Sequence, residues 1–196
     1  MQIEFNNIIS LNREEQLQIL EWRNSDKVRS NMINQEIISP EAHLSYCEKL
    51  KQNKSTLLFR VSVNQIPCGM VNFANLNYKN RTGEYGLYVV DERPGIGPYL
   101  GRLAIYYFFE ILNFYELHII ILSLNKTSIL FSEKLLLFKD PYINKQEFNI
   151  NGKDVDAVHY TMKKDYWEQY VKQKYEKNLL SIDFIVNNKH YSFSTN

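Results

Sequence analysis

Residues 83–108, GEYGLYVVDERPGIGPYLGRLAIYYF, constrain this chain more than any other stretch. A strand over residues 84–90 runs into a loop carrying Gly95 and Gly97, and the loop opens a long helix over roughly residues 98–114. Leu103, Tyr106, Tyr107, Phe108 and Ile111 give that helix an apolar side. Residues 118–124 are almost continuously apolar and read as a strand buried on both faces. A strand, a glycine loop and a helix in that order are the physical recipe for seating a phosphate. Glycines let backbone N–H groups turn inward without a side-chain clash, and the helix N-terminus adds partial positive charge. Two specific fingerprints are missing: Gly95-Ile96-Gly97-Pro98-Tyr99 lacks the third glycine of the dinucleotide motif, and there is no Walker lysine. A plain tight turn between strand and helix is the competing explanation of the loop.

The flanking sequence supplies a sheet for this unit to join. Asn12 with Glu15 three residues on is a capping box, opening a helix that carries Leu17, Ile19, Leu20 and Trp22 to about Ser25. Ser39-Pro40 opens a second helix with Leu44, Cys47 and Leu50 at helical spacing. Phe59, Val61 and Val63 alternate with polar residues as in a half-buried strand. Pro67-Cys68-Gly69 reads as an interruption before the next strand, residues 70–76, and residues 77–82 are turn-like. Residues 126–136 look helical, and strands 142–150 and 155–162 flank Asn151-Gly152, a strong hairpin signal. Residues 165–180 read as a charged helix, followed by alternation at Ile182, Phe184, Val186, Tyr191 and Phe193 around Asn187-Asn188. Together these predict an α+β (mixed α/β) domain with a central sheet.

Composition removes several functions. A formal net charge of +1 leaves no basic face for nucleic acid or an anionic membrane. Cys47 and Cys68, with no Cys or His cluster around them, make neither a disulfide framework nor a metal site. The longest apolar runs, 119–122 and 135–138, are too short to span a bilayer, and the first residues do not read as a signal peptide. A soluble cytoplasmic protein is expected. The 14 tyrosines exceed what a minimal core needs, and surplus tyrosine suits a polar pocket or an interface.

Glu92-Arg93-Pro94-Gly95-Ile96-Gly97 resembles the loop motif of the GNAT superfamily of N-acetyltransferases: Gln or Arg, two residues, Gly, one residue, Gly or Ala. Both glycines match. Glu92 stands where the Gln or Arg belongs, so the loop is expected to turn Glu92 outward and to rely on amides and Arg93. Asn125-Lys126-Thr127-Ser128-Ile129-Leu130-Phe131-Ser132-Glu133-Lys134 is similar to the second GNAT motif, with Ser132 in place of the Tyr that usually protonates the departing thiolate. The resemblance covers residues 1–165 and implies the GNAT fold, a mostly antiparallel twisted sheet flanked by helices. Residues 166–196 would be a C-terminal extension of helix plus hairpin.

The resemblance further implies acetyl-CoA as cosubstrate and no metal. Leu87, Tyr88 and Val89 would border the acetyl group and pantetheine. Arg93, Gly95, Ile96, Gly97, Pro98 and Tyr99 would hold the pyrophosphate, and Asn125 and Ser128 the far arm of CoA. Glu84 is the candidate base. Tyr88 is the candidate proton donor, since Ser132 is shorter and much less acidic. Glu21-Trp22-Arg23-Asn24 and Ile38-Ser39-Pro40-Glu41-Ala42-His43-Leu44 resemble the subgroup that acetylates the 4-amino group of UDP-linked deoxyaminosugars in pseudaminic acid biosynthesis. In that reading Arg23, His43, Asn72 and Asn75 contact the nucleotide sugar. A solvated salt bridge for Arg23 and a helix-surface position for His43 are the competing readings. His118 and His159 read as structural. Transfer to a protein N-terminus or another amine, and acyl-CoA binding without turnover, remain alternatives, and a homodimer is left open.

Overall fold

The computed structural model of the protein describes residues 1–91 and 93–193. Its strands are β1 (Gln2–Asn7), β2 (Leu57–Val63), β3 (Ile66–Asn77), β4 (Thr82–Val89), β5 (Glu116–Leu122), β6 (Tyr142–Ile150), β7 (Lys153–Lys163), β8 (Asp183–Val186) and β9 (Lys189–Tyr191). They form one sheet in the order β6-β7-β5-β4-β3-β2-β1-β8-β9. The β4–β5 and β1–β8 pairs are parallel and the others antiparallel. This is the mixed, mostly antiparallel sheet expected from the sequence.

Alternation along β2 shows how the layers divide. Phe59 packs in the main core and Leu58 in a second, smaller cluster with Ile8, Ile19, Cys47 and Leu50. The smaller cluster lies under α1 (Arg13–Asn24) and α3 (Pro40–Leu50). Both helices start where their caps predict. Asn12 and Glu15 exchange both capping-box bonds, and the Ser39 hydroxyl accepts from the Ala42 N–H at 3.2 Å. Glu15 also accepts from Arg60 of β2 at 2.6 Å, which ties α1 to the sheet. A short helix, α2 (Asp26–Arg29), follows α1. On the opposite face, α4 (Ile96–Tyr106) and its π-helical continuation Tyr107–Ile111 bury Leu100, Leu103, Ala104, Phe108 and Phe109. Each such large apolar side chain contributes about 1.5–3 kcal/mol.

Three expectations change. β1 was not anticipated: Ile3 and Phe5 are fully buried, but the polar neighbours on either side hide their alternation. β3 runs through Pro67-Cys68-Gly69 without a break, because the irregularity is absorbed as a bulge opposite Val61 and Ser62. Gly69 is required there, since a Cβ would lie 2.4 Å from the Tyr88 carbonyl oxygen of β4. The long helix begins at Ile96 rather than Pro98 and ends its π turn at Ile111.

The last fifth of the chain is built into the same sheet. After α6 (Lys164–Tyr166), a π-helical turn over Trp167–Val171 and α7 (Lys172–Leu179) place Trp167, Val171, Tyr175 and Leu179 in the main core. Trp167 stacks on Phe109 at 5.3 Å and donates from Nε1 to Glu110 at 2.7 Å. Asn187 and Asn188, both left-handed, turn β8 into β9, as the sequence pattern suggests.

Candidate functional site

The sheet opens at its middle. β4 and β5 pair at only three positions, Thr82↔Glu116, Gly83↔Leu117 and Glu84↔His118. Beyond them β5 continues to Leu122 paired with β7 alone, while β4 continues to Val89 paired with β3 alone. The Val90 N–H donates to the Cys68 carbonyl on the β3 side at 2.8 Å. Peptide groups alternate along a strand, so Tyr88 also points its N–H toward β3, and the N–H groups of Leu87 and Val89 face the split. Side chains alternate too. Tyr85, Leu87 and Val89 pack toward the main core under α4, while Tyr88 and its cross-strand partner Met70 face α1.

The glycine loop lies at the end of the split. Gly95 has φ 84°, in the left-handed region that favours glycine, and no side chain caps the helix it opens. That sets α4 apart from α1 and α3, whose N-termini are closed by Asn12 and Ser39. No acidic residue occupies its first turn, so the amides of Ile96 and Gly97 are left for an anion, and Pro98 brings none. The Arg93 guanidinium, expected to help at this position, is tied to Asp91, with Nε donating to Oδ2 at 2.7 Å. That contact holds the Asp91 carboxyl below its ordinary pKa. Glu92 lies outside the described residues.

Asn125 accepts from the Ser128 N–H at 3.0 Å and so caps α5 (Lys126–Leu130). Ser132, in the π-helical turn Phe131–Leu135, is 4% exposed. The Phe131 ring leans on the start of α4, where a Cβ on Gly97 would meet it at 3.6 Å.

The opposite face of the split is polar. The Tyr88 hydroxyl lies 3.5 Å from both the Ile19 carbonyl and the Met70 sulfur, and burial raises its pKa while the Arg23 charge lowers it. Arg23 donates to the Asn34 carbonyl, and its Nη1 is buried without a partner among the described residues. Its own pKa is lowered first by burial, with Tyr88 raising it and Arg29 lowering it further. Asn75 is left-handed at a bulge in β3, and its Nδ2 donates to Glu84 at 2.8 Å. The bulge, rather than simple alternation, turns it toward Glu84. Asn72 covers Gly86, where a Cβ would lie 2.3 Å from its Oδ1. Past the end of β5, a cavity of about 300 Å³ is lined by Ser30, Asn31, Gln35, Leu122, Asn125 and Asn151. Asn151 of the β6–β7 turn donates to Gln35 at 3.2 Å across it.

No family model matches the chain. Acetyltransferase PseH of Campylobacter jejuni serotype O:23/36 is 29% identical over 161 residues, 82% of this chain and 94% of that protein. The protein of the same name from serotype O:2 is 31% identical over 111 residues, 57% of this chain and 69% of that protein. The chain belongs to the PseH acetyltransferase family. It is an N-acetyltransferase of the GNAT superfamily. Solved structures share the fold. Spermidine N-acetyltransferase from Vibrio cholerae, in complex with CoA and spermine, superposes with TM-score 0.76 at 21% identity over 86% of this chain and 99% of that one. Campylobacter jejuni PseH in complex with acetyl coenzyme A gives 0.61 at 24% identity, over 82% and 98%.

Several residues of this PseH-family chain stand differently from their sequence reading. His43 is neither on a surface nor in a pocket. It is 6% exposed beneath α1, with its Nε2 bonded to the Gln16 carbonyl at 2.9 Å, and burial lowers its pKa. His118 and His159, read as structural, sit half-buried on β5 and β7 with side-chain partners. His118 bonds the Thr161 hydroxyl at 3.0 Å and pairs with Glu116 at 3.0 Å, directly beside Glu84 in register. His159 pairs with Glu147 and stacks on Tyr142 at 4.6 Å. Glu147 sits within a register shift of β6 between Asn144 and Phe148, and strand periodicity gives no sign of it. The hydroxyl of Tyr85, buried with no partner among the described residues, was also missed. Among the described residues no group of three or more His, Cys, Asp or Glu could hold a metal ion, and no helix is long and apolar enough to cross a membrane.

Proposed function

We propose that the chain moves acetyl from acetyl-CoA to the 4-amino group of a UDP-linked deoxyaminosugar, in the pseudaminic acid pathway or a related nonulosonic acid pathway. The split between β4 and β5 carries this reading: the inward amides of Leu87 and Val89 and the uncapped N-terminus of α4 border one slot. Those groups fit acyl-CoA. The free amides of Ile96 and Gly97 suit a pyrophosphate, and Gly97 leaves the backbone open to close approach. Acetyl-CoA supplies an activated carbonyl and a thiol leaving group. The Leu87 and Val89 amides would then donate to the carbonyl oxygen as negative charge develops on it. Glu84, held by Asn75, takes the proton of the incoming amine directly or through water.

For the acceptor, the unpartnered Nη1 of Arg23 supports a phosphate, since a guanidinium matches phosphate oxygens and would find there the partner it lacks. Asn72 and Tyr88 line the path from Arg23 to the split. Glu84, Glu116 and Glu147 along β4 to β6 favour a second reading, a polycationic amine acceptor, because carboxylates in a row attract ammonium groups. The test is thiol release from acetyl-CoA with a UDP-4-amino sugar, spermidine and a peptide N-terminus as competing acceptors. Preference for spermidine or the peptide, by kcat/KM, overturns the nucleotide-sugar assignment.

A further inference from the structure

Ser132 leaves the reaction short of a group to meet the leaving sulfur. Its side chain is short and its hydroxyl is buried. Tyr88 faces α1, on the acceptor side of the sheet, with its hydroxyl near Ile19 and Met70. Tyr85 occupies the other side. It is the first residue of β4 past the last pair with β5, Glu84↔His118, so its Cα stands at the apex of the split. It shares its direction with Leu87 and Val89, and all three stay partly accessible although they pack against the core under α4. The ring rests on Phe73 at 6.1 Å. Its hydroxyl oxygen is buried and has no partner among the described residues.

An orphaned buried hydroxyl costs about 1–3 kcal/mol, so a structure that keeps one has either a ligand for it or a penalty with no return. Burial also raises the pKa of Tyr85, which keeps the group protonated and able to donate.

We infer that the Tyr85 hydroxyl is the catalytic donor to the CoA sulfur, doing from β4 what Ser132 cannot do from the second motif. This rests on the acetyl-CoA reading above and deepens it. The amine nitrogen bonds the carbonyl carbon and gives its proton to Glu84. The C–S bond breaks and leaves its electron pair on sulfur. The Tyr85 hydroxyl donates a hydrogen bond to that pair and stabilises the thiolate, which takes its proton from water as CoA departs. One proton leaves nitrogen and one arrives on sulfur, with no oxidant or metal needed.

The experiment uses CoA itself, so that no acceptor has to be known. The thiol of bound CoA is titrated by its thiolate absorbance in the wild-type protein, Tyr85→Phe and Tyr88→Phe. A donor to sulfur favours the thiolate, so the ionisation constant of bound CoA should be about tenfold higher in wild type than in Tyr85→Phe, with Tyr88→Phe matching wild type. Tyr85→Phe should keep or raise the melting temperature, because it removes only an unpartnered hydroxyl. Equal titration in wild type and Tyr85→Phe, or a clear loss of stability in Tyr85→Phe, overturns the assignment. If the wild-type protein binds neither CoA nor acetyl-CoA, the acetyl-CoA reading falls with it, and that outcome is distinct from CoA bound with an unchanged titration.

Discussion

The two faces of β4 are built from adjacent residues yet have opposite character. On one, Tyr85, Leu87 and Val89 form an apolar wall whose side-chain polar atom, the Tyr85 hydroxyl, has no partner among the described residues. On the other, Glu84 is anchored by Asn75, Gly86 is covered by Asn72, and Tyr88 reaches toward α1 and the charge of Arg23. Two-residue alternation is enough to separate a face suited to a thioester from one suited to a charged acceptor. Local departure from regular structure then adds precision. The bulge at Asn75 sets Glu84, and the shift in β6 contains Glu147.

The sharpest way to break this contrast is at Glu84. Glu84→Gln should lower the rate of thiol release about 100-fold or more while CoA affinity, read by calorimetry, stays put. A parallel loss of CoA binding would show that the acidic face also serves the cofactor. Arg23→Gln comes next. It should raise the KM for a phosphate-bearing acceptor about tenfold and leave the KM for a phosphate-free amine unchanged. Equal effects on both acceptors would make Arg23 a scaffold for the Asn34 loop. On the cofactor side, Gly95→Ala forces a side chain into φ 84° at a cost of about 1 kcal/mol, which corresponds to roughly fivefold weaker CoA binding by titration.

The smallest effect belongs to His43, beneath the acceptor face. Its folded pKa lies below the ordinary 6.5, so the unfolded chain binds the proton more readily. Its contribution to stability is therefore full above 6.5 and is lost as pH falls through the lower folded value. Denaturant midpoints measured across that range should slope downward toward acid, and His43→Gln should flatten the slope.

The backbone of the proposed cofactor side was legible in the sequence because it is local. The strand, Gly95 and the helix after it are contiguous, and caps at Asn12 and Ser39 fix helix starts within one turn. The acceptor side was not, because its geometry is long-range. Asn75 reaches Glu84 through a bulge, His118 stands beside Glu84 through a parallel pair, and His43 is buried by α1. Tyr85 looked like one more strand aromatic. Its distinguishing property, a hydroxyl without a partner, exists only once the chain has folded around it.

The parallel pairing of β1 with β8 has a consequence for biosynthesis. The Asn187 side chain accepts from the Asn7 backbone across 180 residues of sequence, and the Met1 carbonyl accepts from the Asp183 N–H. On the ribosome, β1 and β2 are made well before β8, so β1 can pair with β2 but its other edge must wait until Asp183–Val186 has been translated. For that interval a nascent chain displays an open strand edge carrying Ile3 and Phe5, the kind of edge on which neighbouring chains aggregate. A chaperone that covers such an edge during translation would therefore matter more to the yield of this protein than one acting after release.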